Sequence, residues 1–299
     1  MTEPMIDKRM TVDDIVDQLR DGMTIGIGGW ATRRKPMALI RAIARSSLKD
    51  LTLMAGFGGP EVGMLAATGK IRKLIFAFVS LDHYPLEPHY RNARQAGAFE
   101  VLELDEGMVH WGLRAAAMRL PFLPTRIGIG TDILTQAGAD FKFVQSPYGD
   151  GEQLVAMPAL APDVALIHAH RSDERGNILT LSTDPLFDEM LVRAAGKSFA
   201  TVEKIVSTAD LDMKNNGRYN LVERAMITGV AEAPLGAHPT SAAPDYPLDL
   251  GHLKTYVDSA ASPEAWADYK ARFIDVPEAE YRAAVGGEDA VKQLPAAIY

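Results

Sequence analysis

Residues 23–30 have the sequence MTIGIGGW, a short apolar run that contains two adjacent glycines near its end. Amphipathic helical stretches lie on either side of this run, at 11–22 and from Pro36 onward. An uninterrupted apolar run between helices predicts a strand that is buried on both faces, as strands of parallel sheets are. The stretch therefore predicts an α/β fold, a mainly parallel sheet with helices on both faces.

The alternation of apolar runs and amphipathic helices extends over most of the chain. Thr11 and Asp14 have the spacing of a helix cap ahead of the first strand. The other predicted segments are helices at 36–43 and 106–120 and strands at 51–55, 75–80, 99–104, 164–168, 204–207 and 226–230. Beyond residue 250 the chain becomes charged, and Ser262-Pro263 predicts a helix start. We interpret 1–250 as one α/β domain and 251–299 as a helical C-terminal extension packed on that domain or on a partner.

The composition excludes several classes of protein. The chain has 299 residues and a formal net charge of −8, so neither nucleic acid nor an anionic membrane surface is an expected partner. It contains no cysteine, which excludes disulfides and thiolate metal sites and fits a reducing cytoplasm. No apolar stretch is long enough to span a membrane. The seven histidines have no metal-site spacing, so no bound metal is expected.

Glycines end two of the predicted strands, at the edge where open parallel sheets bind ligands. Gly28 and Gly29, followed by Trp30, end the first strand, and Gly58 and Gly59 follow the second. Glycine lets a backbone approach a ligand and present its N–H groups, so these residues are substrate-binding candidates. Two other interpretations stay open: a tight turn without a ligand, and a degenerate dinucleotide fingerprint. The fingerprint lacks the acidic residue expected at the end of the second strand.

Three consecutive cations, Arg33, Arg34 and Lys35, lie between the glycine loop and the next predicted helix. Cations beside a helix start suit a phosphate or a carboxylate, so we expect an anion there, with a solvated turn as the alternative. Arg126 is a weaker candidate for the same task. Ser80 ends the third predicted strand and is a further substrate-binding candidate, although no Gly-x-Ser-x-Gly elbow surrounds it, which argues against a serine hydrolase.

Glu106 lies where a predicted strand passes into a predicted helix. The helix macrodipole stabilises a carboxylate at this position as the anion. Two roles follow from that placement: a charge that caps the helix, or a nucleophile or general base at the ligand-binding edge of the sheet. The spacing alone leaves both roles open.

Several segments resemble the alpha subunits of class I coenzyme A transferases. They are MTIGIGGW at 23–30, LPFLPTR at 120–126 with GTD at 130–132, DERGN at 173–177 and GAHP at 236–239. One branch of that family is closer still, the alpha subunits of steroid ring-opening acyl-CoA hydrolases. That resemblance lies in the sequences around Trp30 to Met37, VSLD at 79–82 and DEGM at 105–108. The stretch 133–152 departs from the family pattern, and 251–299 has no recognised motif.

The resemblance implies a coenzyme A transferase-like fold and an α2β2 enzyme whose beta subunit has a similar fold. It implies no bound cofactor, since coenzyme A is part of the substrate. In the hydrolase branch the alpha subunit supplies a catalytic glutamate, at the position of Glu106 here, that activates water or shuttles a proton. Backbone N–H groups of the glycine loop would stabilise the oxyanion or enolate. The implied reaction is hydrolytic carbon–carbon ring opening of a sterol-derived, ring-containing acyl-CoA.

Two alternatives remain at this point. In a true coenzyme A transferase the catalytic glutamate belongs to the beta subunit and forms a glutamyl-CoA intermediate, which divides one difficult displacement into two easier steps. The chain would otherwise be a non-catalytic structural or ligand-binding subunit. A beta subunit that lacks the glutamate favours the hydrolase, and one that keeps it favours the transferase.

Overall fold

The computed structural model describes residues 6–84, 86–136, 140–182, Asp184 and 186–296. Three parts of the predicted segments lie outside the described residues. They are residues 1–5 of the α/β domain, residues 297–299 of the C-terminal extension, and residues 137–139 of the stretch that departs from the family pattern. The strands are β1 (Thr24–Ile27), β2 (Leu51–Met54), β3 (Phe57–Gly58), β4 (Ile71–Phe76), β5 (Phe78–Val79), β6 (Glu100–Glu103), β7 (Phe122–Thr125), β8 (Lys142–Gln145), β9 (Gln153–Pro158), β10 (Val164–Ser172), β11 (Ile178–Leu179), β12 (Lys197–Ile205) and β13 (Gly229–Glu232). The α-helices are α1 (Val12–Val16), α2 (Met37–Arg45), α3 (Pro60–Ala67), α4 (Pro88–Gln95), α5 (Glu106–Ala117), α6 (Asp188–Ala194), α7 (Met213–Asn216), α8 (Leu250–Asp258), α9 (Pro263–Phe273), α10 (Glu278–Ala284) and α11 (Glu288–Lys292).

The main sheet has the strand order β13-β12-β10-β1-β2-β4-β6, and all neighbours in this order are parallel. Strand β11 adds to β10 in the antiparallel direction. Ile25 of β1 lies opposite Leu53 on one side and Val164 on the other. The chain thus starts in the middle, runs outward to β6, and returns to the other side of β1. This reversal between β1 and β10 is the switch point at which open α/β sheets form a ligand crevice.

Different helices cover the two faces of the sheet. Ile25 and Ile27 of β1 are fully buried in one apolar cluster with Ile40 of α2. Gly26 faces the other way, since a Cβ added to it would lie 2.7 Å from Leu191 Cδ1 in α6. Successive residues of a strand point to opposite faces, so both faces are buried. The predicted α/β architecture is therefore confirmed.

A small antiparallel sheet, in the order β7-β9-β8, packs against α5. A Cβ added to Gly112 of α5 would lie 2.5 Å from Leu160 Cγ and 3.1 Å from Met157 Cε, so the helix and the end of β9 approach closely. These strands are not evident in the sequence, because Pro124 and Lys142 interrupt their apolar pattern. Of the three strands, only β8 lies within the stretch 133–152 that departs from the family pattern.

The helices of the C-terminal extension pack on the α/β domain. Ser262 caps α9 as expected, and its Oγ accepts a hydrogen bond from Ala265 N at 3.2 Å. Arg41 of α2 forms a buried ion pair with Glu278 at 2.6 Å, and its guanidinium lies 3.6 Å from the centroid of the Tyr281 ring. No helix in the described ranges combines the length and the apolar character needed to cross a bilayer.

Some predicted boundaries are confirmed and others are wrong. The Thr11 cap is present, because Thr11 Oγ1 accepts from Asp14 N at 3.0 Å and Asp14 Oδ2 accepts from Thr11 N at 2.9 Å. The first helix ends at Val16 rather than near residue 22. Strand β12 begins at Lys197 rather than at 204, because its polar residues are paired inside the protein; Glu203, for example, bonds to the His168 ring at 2.8 Å.

Candidate active site

The segments that follow β1, β2 and β4 meet at the carboxyl edge of the main sheet through aromatic contacts. The rings of Trp30 and Phe57 stack at 4.2 Å, and the edge of Phe78 lies 5.5 Å from Trp30. Phe187, just before α6, contacts Phe57 at 4.6 Å, and His110 of α5 lies 5.1 Å from the same ring. The five rings form an aromatic cluster at the predicted ligand-binding edge, and Phe57 is at its centre.

The glycines allow these loops to pack tightly against each other and against α6. A Cβ on Gly59 would lie 2.0 Å from Ala31 O, and one on Gly28 would lie 2.6 Å from Asp188 Oδ1. Gly29 has a φ of +73°, which glycine adopts without strain. Gly58 is buried in the short strand β3, which pairs with β5. These glycines are therefore used for close approach between segments of this chain.

The expectation that amides of the first glycine loop stabilise an oxyanion does not agree with the structure. Gly28 N donates to Leu166 O at 2.9 Å, Gly29 N to Asp188 Oδ1 at 2.8 Å, and Trp30 N to Arg33 O at 2.9 Å. An amide that already donates to an internal acceptor is not available to a substrate oxygen. Stabilisation of an oxyanion in this conformation requires a donor from elsewhere in the site.

Arg34 and Lys35 are buried ion-pair residues, contrary to the expectation that they face an anionic ligand. Arg34 is 2% exposed, and its guanidinium pairs with Asp188 of α6 at 2.7 Å. Lys35 is fully buried, pairs with Glu61 of α3 at 2.8 Å and donates to Phe57 O at 2.6 Å. Burial raises the pKa of Glu61, an effect that the Lys35 ammonium opposes. Both cations hold the glycine loop to α3 and α6 in place of binding a ligand.

Arg33 is the member of this cation cluster that reaches solvent. Its side chain is about one-third exposed, and its guanidinium lies 3.4 Å from Asp184. It lines a cavity of about 290 Å³ together with Ser182, Leu186 and Ser241. Arg34 also lines this cavity, but it is buried and paired with Asp188, so Arg33 is the more accessible candidate for the expected anion-binding role.

Ser80 shapes the neighbouring loop. Its hydroxyl accepts a hydrogen bond from Asp82 N at 3.0 Å, and its own amide donates to Gly58 O at 3.0 Å. The Asp82 carboxylate in turn accepts from the amide and the hydroxyl of Thr32 in the first glycine loop. The half-buried Ser80 thus links two of the loops at the edge of the sheet.

Glu106 is the first residue of α5, but another side chain caps that helix. Asp105 is the N-cap residue, and its Oδ1 accepts a hydrogen bond from Gly107 N at 2.7 Å. The exposed Glu106 carboxylate has no hydrogen-bond or ion-pair partner in the part of the chain that the structure describes. Asp105 therefore performs the capping task, and the Glu106 carboxylate stands open at the carboxyl edge of the sheet.

Arg126 lies close to this helix start but is already paired. The Nε and Nη2 atoms of its exposed guanidinium donate hydrogen bonds to the two oxygens of the Glu152 carboxylate. The next residue, Ile127, packs on the helix, since a Cβ on Gly107 would lie 2.5 Å from Ile127 Cδ1. The segment after β7 thus borders the site, and a substrate anion would have to compete with Glu152 for Arg126.

His110 belongs to this region and was not identified from the sequence. It lies one helical turn after Glu106, is half-buried, and lines a cavity of about 350 Å³ with Leu186 and Phe187. Burial lowers its pKa, while the nearby Glu106 carboxylate acts in the opposite direction. The spacing of four residues, which places two side chains on the same face of a helix, could have identified it.

Comparison with known proteins gives a consistent result. The model of the Coenzyme A transferase family matches residues 9–220. The chain is 47% identical over 285 residues to the cholesterol ring-cleaving hydrolase IpdA subunit of Rhodococcus jostii (strain RHA1), covering 93% of this chain and 96% of that protein. It is 44% identical over 286 residues to the IpdA subunit of Mycobacterium tuberculosis, covering 94% and 98%. The crystal structure of glutaconate coenzyme A-transferase from Acidaminococcus fermentans superimposes with a TM-score of 0.86 at 26% identity, covering 93% of each chain.

Proposed function

Given that the chain belongs to the coenzyme A transferase family, we propose that it is the alpha subunit of an enzyme that opens a carbon ring in a sterol-derived acyl-CoA by hydrolysis. The observation that carries the proposal is the open Glu106 carboxylate. It lies at the ligand-binding edge of the sheet, and Asp105 already caps the helix. A helix that has its cap does not require a second carboxylate for that purpose, so a chemical role for Glu106 is favoured.

The proposed reaction consists of addition and cleavage, and both need a group that moves protons. The Glu106 carboxylate takes a proton from water as the water oxygen bonds to a ring carbonyl carbon. The resulting alkoxide collapses, the adjacent carbon–carbon bond breaks, and its electron pair passes to the ring carbon that leaves. That carbon takes the proton from Glu106. The products are a carboxylic acid and an opened ring, and Glu106 returns to its anionic form.

The substrate and the assembly follow from the same family membership. Coenzyme A is part of the substrate, and no further cofactor is required for this chemistry. Arg33 is the candidate to bind a carboxylate of the acyl group or a coenzyme A phosphate. Because the relatives are named as subunits, we propose a beta subunit of similar fold in an α2β2 enzyme. The absence of cysteine agrees with a cytoplasmic enzyme.

A second candidate is a true coenzyme A transferase. The close superposition with glutaconate coenzyme A-transferase favours it. In that case the beta subunit carries the nucleophilic glutamate, a glutamyl-CoA intermediate forms, and Glu106 is dispensable. If the chain is instead a non-catalytic subunit, Glu106 is also dispensable. Such a subunit would not determine which acyl groups the enzyme accepts.

The test compares Glu106→Gln with Glu100→Gln, an exposed glutamate at the amino end of β6. Each variant is purified as the complex with the beta subunit and assayed with ring-bearing and short dicarboxylic acyl-CoA thioesters. Loss of a positioned proton-transfer group lowers kcat by about 10²-fold or more, whereas the control keeps its activity. Turnover with water as the only acceptor supports the hydrolase. A requirement for an added free acid, or wild-type kcat in the Glu106 variant, contradicts the proposal.

A further inference from the structure

The imidazole of His110 differs from the other histidines that have buried rings. Those rings all have hydrogen-bond partners inside the protein: His89 bonds to Ser259, His168 to Thr201 and Glu203, His170 to Ala243 O, His238 to Tyr281 and Asp249, and His252 to Tyr269. The two ring nitrogens of His110 have no hydrogen-bond partner among the described residues, and neither is a buried atom without a partner. The nitrogens of this half-buried imidazole are therefore accessible and available to a ligand.

The cavity beside His110 has the size and lining expected for the ring of an acyl group. Its volume is about 350 Å³, which lies within the roughly 300–1,000 Å³ typical of small-molecule pockets. The apolar side chains that line it are Leu186, Phe187, Met190 and Leu221. Such a surface favours a hydrocarbon ring, and His110 is the polar group of this cavity that also belongs to the aromatic cluster.

Burial lowers the pKa of His110 and so favours its neutral imidazole. The Glu106 carboxylate raises that pKa, and Arg114, one turn further along α5, lowers it. The side chains that pack on it from other elements, Phe57 and Phe187, carry no charge, and Glu189 lines the same cavity. A neutral imidazole has one N–H donor and one acceptor nitrogen, so it donates a hydrogen bond through that N–H and does not carry the second, acidic proton of an imidazolium.

We propose that His110 is a substrate-contacting hydrogen-bond donor, whose ring N–H binds the oxygen of the ring carbonyl that water attacks. This inference rests on the proposed hydrolase function. It also supplies the donor that the occupied amides of the glycine loop do not provide. When the water oxygen bonds to the carbonyl carbon, the C=O electron pair moves onto the oxygen and is stabilised by the His110 N–H. Glu106 holds the water proton and returns it to the departing carbon, and His110 keeps its own proton throughout.

The first test uses His110→Phe, which keeps a ring between Phe57 and Phe187 and removes the donor, and His110→Gln, which keeps a donor. Both are assayed as the complex with the beta subunit. Loss of one oxyanion donor lowers kcat by about 10²–10³-fold, and KM changes little because the ring contacts remain. The Gln variant is expected to retain clearly more activity than the Phe variant. His89→Phe is the matched control: it removes a histidine bonded only within the protein, so it lowers the melting temperature and spares kcat.

The second test measures the carbonyl directly and does not depend on turnover. A ring-bearing acyl-CoA is bound to the Glu106→Gln complex, and the infrared stretching band of the ring ketone is recorded. A hydrogen bond from His110 lowers that frequency, and adding His110→Phe or, if that variant does not assemble, His110→Leu returns it toward the value in an apolar solvent. An unshifted band, or wild-type kcat in assembled His110→Phe, overturns the role of His110. The Glu106→Gln variant without a change at His110 tests the proposed function. A failure of the proposed function is therefore distinguishable from a failure of this inference.

Discussion

The cation cluster after β1 and the start of α5 both lie at the carboxyl edge of the main sheet, and their charged groups are used in opposite ways. Arg34 and Lys35 are buried and paired with Asp188 and Glu61. The exposed Glu106 carboxylate, in contrast, has no hydrogen-bond or ion-pair partner within the described ranges. The first region fixes the geometry of the loops, and the second leaves a functional group open to a ligand.

This difference shows that a charge near a ligand-binding edge is not evidence of ligand binding by itself. Removing a charge from water costs several kcal/mol unless a counter-ion and hydrogen bonds offset the cost. A buried and well-paired cation therefore has little capacity left for a second anion. An open carboxylate is still able to interact with a ligand. Variants of the buried ion pairs and of the exposed groups test this comparison.

The largest effect is expected where a sealed ion pair is broken. Lys35→Met leaves the Glu61 carboxylate buried without its cation, which should lower the free energy of unfolding by about 3–5 kcal/mol. Lys35→Met/Glu61→Gln should recover a large part of that loss, since Gln still accepts from Gly59 N. Urea denaturation of both variants and of the exposed control Lys197→Met measures the difference. A loss no greater than that of the control would mean that the pair does not hold the loop.

The next effect concerns Glu87, a second buried carboxylate close to Glu61. Burial raises the pKa of Glu87 from 4.5 to about 7, and Glu61 adds to the rise. The folded state therefore binds the proton of the Glu87 carboxyl group more tightly than the unfolded state does. The free energy of unfolding that this proton contributes is lost as the pH rises from 4.5 through 7. One pKa unit corresponds to roughly 1.4 kcal/mol, so the loss is about 3 kcal/mol.

Glu87→Gln removes that titration and keeps an acceptor for Tyr90 N. We expect the variant to gain stability relative to the wild type between pH 5 and pH 8, with little difference at the acidic end. Unfolding measured at several pH values checks this, with the exposed Glu280→Gln as control. Parallel pH curves for wild type and Glu87→Gln would show that the carboxylate is not sealed from solvent.

The smallest effect is expected at Arg33, which belongs to the cation cluster but is about one-third exposed. Exposed ion pairs contribute up to about 1 kcal/mol, so Arg33→Ala should raise KM by up to about fivefold and leave kcat nearly unchanged. The increase should shrink at high salt because exposed charges are screened. Steady-state kinetics at two ionic strengths, with Arg91→Ala on α4 as control, makes the comparison. A KM unaffected by Arg33→Ala would identify the cluster as structural in all three positions.

Local signals allowed much of the fold to be predicted from the sequence. The apolar run at 23–30 marks β1, and the caps at Thr11 and Ser262 are confirmed because a cap is decided by residues within one helical turn. The family resemblance is confirmed by the match over 9–220. The start of β12 was missed, since its polar residues are compatible with a buried strand only through partners such as His168 and Tyr246.

The candidate site was less accessible to sequence reasoning because its electrostatics depend on distant partners. Arg34 bonds to Asp188 across 154 positions, and Thr32 to Asp82 across 50. No local pattern indicates which cations will be paired. The placement of Glu106 at a helix start was predictable, but its separation from the capping task depends on the Asp105 side chain, which the sequence left undecided.

The central position of β1 also affects how the chain is made. Strand β2 follows β1 closely, whereas β10, its other neighbour, is synthesised more than 130 residues later. At roughly 5–20 residues per second, one edge of β1 waits for about 7–30 s with unpaired N–H and C=O groups. An unfinished chain thus presents the template for aggregation that the finished sheet conceals. The hazard in producing this protein is greatest while residues 28–163 are being translated, and it decreases once β10 is released from the ribosome.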